Sequence, residues 1–189
     1  MIKIFGLAIC GLTLVACQTT SSLSMAEQQA LDQQAQQIAD QFGQQLLGTV
    51  QQAMQHGGTT SAIAACQQLA PALAAQASQQ GWQVGRTSLK WRNANNQPDA
   101  WQQKILQQFA QQLAAGQPMT TLKASTVERG EYRYMQAIAI KPPCLACHGT
   151  ALDADTQQAL NRLYPDDRAT GYQLGELRGA FVVSRQLRD

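Results

Sequence analysis

Cys144-Leu145-Ala146-Cys147-His148, set between Pro142-Pro143 and Gly149, constrains this chain more than any other segment. Two residues separate the thiols, and an imidazole follows directly. C-x-x-C-H spacing lets both thiols add across the vinyl groups of a haem while the next residue sets its imidazole beneath the iron. The motif lies near the C-terminal end of the chain. Three other chemistries use similar residues. A thioredoxin-like dithiol needs a preceding strand and a helix N-terminus to lower the thiol pKa, and the flanking prolines and glycine do not suit it. A structural zinc site needs four spread ligands, and adjacent Cys147 and His148 chelate a tetrahedral ion poorly. A disulfide across two residues is strained and leaves His148 without a role. One covalent haem c per chain is the expected cofactor.

The N-terminus bears on the compartment. Lys3 gives a positive start, and Ile4 to Val15 is an apolar run too short to span a bilayer unaided. It ends in Leu14-Val15-Ala16-Cys17, which looks like a lipobox; an ordinary secretory signal or a short anchor is the alternative. Residues 1–17 are expected to be a lipoprotein signal peptide with Cys17 lipidated, 18–29 a tether and 30–189 the haem domain. Each buried acyl methylene contributes about 0.8 kcal/mol to membrane attachment. Gln18 stands where, by resemblance to bacterial lipoproteins, aspartate favours inner-membrane retention. The expected place is therefore the periplasmic side of the outer membrane. Cys10 leaves with the signal and Cys17 carries lipid, so Cys66, Cys144 and Cys147 remain. Three thiols in an oxidising setting cannot all pair.

The formal net charge is +2 in 189 residues, with no block of like charges. That excludes the basic stripe of a nucleic-acid binder. Paired glutamines such as Gln44-Gln45 and Gln111-Gln112 sit within apolar periodicity and read as solvated helix faces.

Ser24-Met25-Ala26-Glu27 reads as a capping box. Leu31, Ala35, Ile38, Phe42, Leu46, Val50 and Met54 then recur at helical spacing, to about Gln55. Gly57-Gly58 stops this helix, and Thr60 or Ser61 caps a second one with Ile63, Cys66, Leu69 and Leu73 on one face. Pro71 is expected to kink or restart it. After Gly81 the period becomes two, predicting a strand from Trp82 towards Arg92. Asn93 to Pro98 is a turn, and Asp99 with Gln102 caps a third helix ending at Gly116. Leu122–Val127 and Tyr132–Ile140 predict a hairpin. A short helix near Thr156–Leu163 and a last strand at Ala180–Ser184 complete an α+β chain.

A small electron carrier has its haem motif near the N-terminus and a downstream methionine as second ligand. No methionine follows Met135 here. Met119 and Met135 remain candidates, though a methionine on a strand is usually core. His56 lies at a helix end and reads as solvated. Cys66 on an apolar face reads most simply as a small buried hydrophobe.

Several motifs together resemble a known family. They are Trp82-Gln83-Val84-Gly85-Arg86-Thr87-Ser88-Leu89-Lys90, Arg92-Asn93, Asn96-Gln97-Pro98-Asp99, the Cys144–Gly149 motif, Tyr164-Pro165-Asp166 through Ala169, Gly171-Tyr172, Gly175 and Arg178-Gly179-Ala180. From Ala30 to Arg185 the chain is similar to the PAS-like c-type haem family. The resemblance implies a PAS-like antiparallel sheet with N-terminal helices packed on it. It also implies iron ligation by the motif histidine, here His148, and by an N-terminal cysteine. Ile63-Ala64-Ala65-Cys66 with Leu69-Ala70-Pro71 matches the segment holding that cysteine, so the role falls to Cys66. Arg86 and Arg92 suit haem propionates, or a structural salt bridge.

Two functions follow as expectations. One is a redox- or small-ligand-sensing haem module, which needs a signalling or redox partner protein; the other is an electron-transfer cytochrome of the cell envelope. A peroxidase-like enzyme needs an open iron site, so no enzymatic role is expected.

Overall fold

The computed structural model describes residues 23–187. Cys17 and the leader lie outside them. Ser24 caps the first helix through a reciprocal capping box with Glu27. This helix, α1 (Met25–Ala77), has 53 residues and would be ~80 Å long if straight. It is not straight. Phe42 and Leu46 pack with Ala70, Leu73, Ala74 and Ala77, residues that one rod would hold ~40 Å apart. The chain folds back at Gly57 (φ −160°, ψ 26°) and Gly58 (φ 65°, ψ −158°). Gly58 adopts angles that a side chain would forbid. Two antiparallel limbs result.

Four strands, β1 (Trp82–Thr87), β2 (Lys123–Glu128), β3 (Glu131–Ala139) and β4 (Leu177–Gln186), form an antiparallel sheet of order β1-β4-β3-β2. The period of two sorts its faces. Trp82, Tyr132, Tyr134 and Val183 meet Ala35 and Ala39 of α1, while Val84 and Phe181 meet Phe42. On the other face Met135, Ala180 and Val182 lie under α2 (Ala100–Ala114), against Ile105, Leu106 and Phe109. The fold is α+β, with a PAS-like antiparallel sheet and the N-terminal helices packed on one face.

β3 and β4 are neighbours in the sheet, yet residues 140–176 intervene. This excursion carries α3 (Leu145–His148) and α4 (Ala154–Leu163). Its base is closed by Ile140 N–H to Glu176 O (2.9 Å) and Gly175 N–H to Ile140 O (2.9 Å). Ile140, Ala169 and Tyr172 give it a small core of its own, against which Cys144 and Leu145 pack.

The structure departs from the sequence expectations in five places. Residues 25–29, assigned to a tether, are the first turn of α1, because the Ser24 cap starts the helix there. β1 ends at Thr87, not near Arg92. Beyond it Ser88 N–H bonds Asn96 O, and Ser88 Oγ bonds Arg178 O and Lys90 O, which replaces the ladder. Pro71 does not break α1, whose non-helical angles are confined to Gly57 and Gly58. The ring is exposed, and water reaches carbonyls on that side. Leu69 is exposed rather than sharing the buried face of Ile63. Finally, β4 begins at Leu177, before Gly179.

Gly179 is the position where that longer strand needs glycine. Its φ is 155°, and a Cβ would meet Thr87 O at 2.3 Å and Ser88 Cα at 3.3 Å. Both are backbone atoms and cannot yield cheaply. Gly179→Ala is therefore expected to destabilise by roughly 1–3 kcal/mol, lowering Tm by about 2–4 °C per kcal/mol. Thermal unfolding checks this, and an unchanged Tm would contradict the close strand contact.

Candidate functional site

Pro142–Cys144 forms a 3-10 turn with proline at its start, and α3 continues it for a single helical turn. Cys144, Cys147 and His148 are therefore spaced i, i+3, i+4, which puts them on one side of the turn. Gly149 ends it with its N–H on Leu145 O at 2.9 Å; a Cβ there would lie 2.6 Å from that oxygen. Such a tight exit admits only glycine.

His148 Nδ1 lies 2.6 Å from Ala169 O. A carbonyl only accepts, so Nδ1 carries the proton and Nε2 keeps a lone pair. This is the tautomer of a metal-ligating histidine oriented through its other nitrogen. Burial, reinforced by Arg178 and Arg92, holds the imidazole pKa well below its ordinary value. Tyr172 stands edge-on to the ring, centroids 6.2 Å apart, and Tyr172 N–H holds His148 O at 2.9 Å.

The thiols Cys66, Cys144 and Cys147 are all free. Burial pushes Cys147 up to about 11, against the lowering field of Arg92. A catalytic dithiol requires the opposite shift. Among the described residues no three His, Cys, Asp or Glu side chains lie close enough to hold a bare metal ion. Two free thiols beside a half-buried imidazole with a free lone pair fit haem c.

Folding back brings the second limb of α1 to this turn. Ile63 packs with Ala159, Leu160 and Tyr164, with Cys147 against the same cluster. Gln67 Nε2 donates to Leu163 O at 3.0 Å. Cys66 lies between these two contacts on the same helical face. Burial raises its thiol pKa, opposed by Arg86, Arg92 and Arg178. The same three guanidinium groups act on His148. The other ligand candidates lie elsewhere. His56 is exposed, with Nδ1 2.7 Å from Gln52 O. Met135 is fully buried, and Met119 packs beside it, in the cluster under α2 on the opposite face of the sheet.

The family model described as "Tll0287-like: Tll0287" matches residues 24–185. The chain belongs to the Tll0287-like family. Among solved structures it is similar to one described as the crystal structure of the cyanobacterial heme-protein Tll0287. Sequence identity is 25%, the TM-score is 0.61, and the match covers 88% of this chain and 99% of that one. No curated protein matches the chain.

In this family member the arginines of the Trp82–Arg92 motif have different fates. Arg92 makes a buried ion pair with Asp167 at 3.0 Å, so it takes the salt-bridge role. Arg86, on the α1 face of the sheet beside Phe181, has no ion pair or side-chain hydrogen bond among the described residues. Asp167, Ala169, Tyr172 and Arg178 lie in motifs that were legible in sequence, but no role was assigned to them. Arg178 Nη1 donates to Ser88 Oγ (3.0 Å) and Lys90 O (3.1 Å), which ties the entry of β4 to the loop after β1. Only long-range contacts disclose these roles.

Proposed function

We propose that this chain carries one haem c, attached through Cys144 and Cys147, with His148 and Cys66 as axial iron ligands. We read it as a redox- or small-ligand-sensing module of the cell envelope. One observation carries the reading: His148 Nδ1–H donates to Ala169 O, which leaves the Nε2 lone pair free, on the turn that also holds two free thiols. The solved relative is described as a heme-protein, which supports a haem cofactor. When bound, haem supplies a one-electron iron couple. A cysteine thiolate donates electron density to iron and so favours the ferric state. Around it, Arg86 is placed to balance the Cys66 thiolate or a haem carboxylate. With both axial positions taken, the reading assigns the protein no catalytic step.

Absorption spectra of the purified holoprotein, oxidised and reduced, with and without carbon monoxide, test this. Covalent haem with a thiolate-type ferric spectrum and ligand uptake on reduction is expected. A protein without haem would overturn the cofactor, and fast reversible reduction without ligand uptake would favour a plain electron carrier.

The same reading places the protein on a membrane through lipid at Cys17, periplasmic side of the outer membrane, acting with a redox or signalling partner protein. Leu14-Val15-Ala16-Cys17 supports this. No described helix is long and apolar enough to cross a membrane. Mature protein is expected to begin at acylated Cys17 and to partition with membranes. Intact-mass analysis that finds Met1 retained would refute it.

A further inference from the structure

Arg92 and Asp167 are a buried pair, their side chains 9% and 8% exposed. Their hydrogen bonds converge on the backbone around His148. Asp167 Oδ2 accepts from Arg92 Nε at 3.1 Å, and Asp167 Oδ1 accepts from Ala169 N–H at 2.8 Å. Arg92 Nη2 donates to Cys147 O (2.5 Å) and, more weakly, to Ala169 O (3.3 Å). Ala169 O is the acceptor of the His148 Nδ1–H. Ala169 itself is fully buried, so no water competes for that oxygen.

We infer that Arg92 and Asp167 are positioning residues that tune His148 as an iron ligand, by dividing the acceptor strength of Ala169 O between the imidazole N–H and a guanidinium. This rests on the function proposed above. A carbonyl already facing a cation is a weaker acceptor, so the His148 N–H keeps its proton more fully and the imidazole remains a weaker donor to iron. The Arg92 bond to Cys147 O acts on the peptide linking a haem-bearing cysteine to the ligand, which fixes the ring's orientation. Asp167 limits how far Arg92 leans on Ala169 O. The two partners therefore oppose each other.

That opposition separates tuning from mere support. Arg92→Gln removes a nearby cation and frees Ala169 O to accept more strongly. Both effects favour ferric iron and lower the reduction potential. Asp167→Asn keeps an acceptor for Ala169 N–H but leaves the guanidinium unbalanced, which raises the potential. Each shift is expected to be on the order of tenfold in the oxidised-to-reduced ratio, about 59 mV for one electron. A pair that only held the loop together would, when broken at either end, admit water and move the potential the same way.

Breaking a buried pair leaves an uncompensated buried charge, so a single variant can fail to accumulate. The double variant Arg92→Gln/Asp167→Asn leaves no unpaired buried charge and serves in that event. It is expected to have a lower potential than wild type, since Ala169 O is freed in it too. Potentiometric titration of holoprotein, with covalent haem quantified in each variant, is the experiment. Shifts of one sign in both single variants, or a double variant at the wild-type potential, would overturn the inference while leaving the haem assignment standing. A wild type without covalent haem would remove both.

Discussion

Replacing both Cys144 and Cys147 with alanine is expected to abolish covalent haem entirely. Wild-type protein, produced in a host with cytochrome c maturation machinery, should keep its haem through denaturing electrophoresis. The double variant should show none. Either single variant retains one thioether and should keep a reduced fraction. The reasoning is chemical rather than energetic. A thioether survives denaturation, whereas ligand bonds from His148 and Cys66 do not outlast the unfolding of α1 and the β3–β4 excursion that bring them together. Haem staining of the gel decides it. Colourless wild-type protein would end the haem reading, and stain persisting in the double variant would place attachment elsewhere.

Cys66→Ala should leave the haem attached but change its iron. Losing the thiolate is expected to shift the ferric spectrum, open the sixth position to added imidazole or cyanide, and raise the reduction potential. The rise should be on the order of a tenth of a volt or more, within the ~0.8 V that axial ligands span. Loss of an anion within the field of Arg86, Arg92 and Arg178 adds to the rise. Alanine is close to cysteine in size, so the packing cost should stay below about 1.5 kcal/mol. The spectral change then reports ligation and not unfolding. Wild-type spectrum and potential in Cys66→Ala would exclude the thiolate. His56→Ala and Met135→Leu are the controls, and neither should change the spectrum, since His56 is exposed and Met135 lies across the sheet.

Elements whose causes are local were legible in the chain. The capping boxes at Ser24–Glu27 and Asp99–Gln102 join residues three apart, and both formed as expected. Alternation found the β2–β3 hairpin to within a residue or two, and Gly57-Gly58 marked the break in α1. Boundaries set by distant partners were not legible. β1 stops at Thr87 because Asn96, Lys90 and Arg178 capture Ser88, and nothing in the alternating run to Arg92 announces those partners. β4 begins early because Gly179 and Leu177 pair with Ile138 and Ala139 of β3, and Gly179 admits the close approach of Thr87.

The candidate site divides along the same line. Sequence by itself determined the turn that carries Cys144, Cys147 and His148, because proline, glycine and i, i+3, i+4 spacing act over a few residues. Only the tertiary structure decided that the segment of α1 holding Cys66 packs beside Cys147, that Arg92 is committed to Asp167 while Arg86 is not, and that Ala169 O accepts from His148 Nδ1–H. Each of those relations joins segments distant in the chain. They exist because α1 folds back at two glycines to lay its second limb on α4, and because the 140–176 excursion is closed at its base by paired strands.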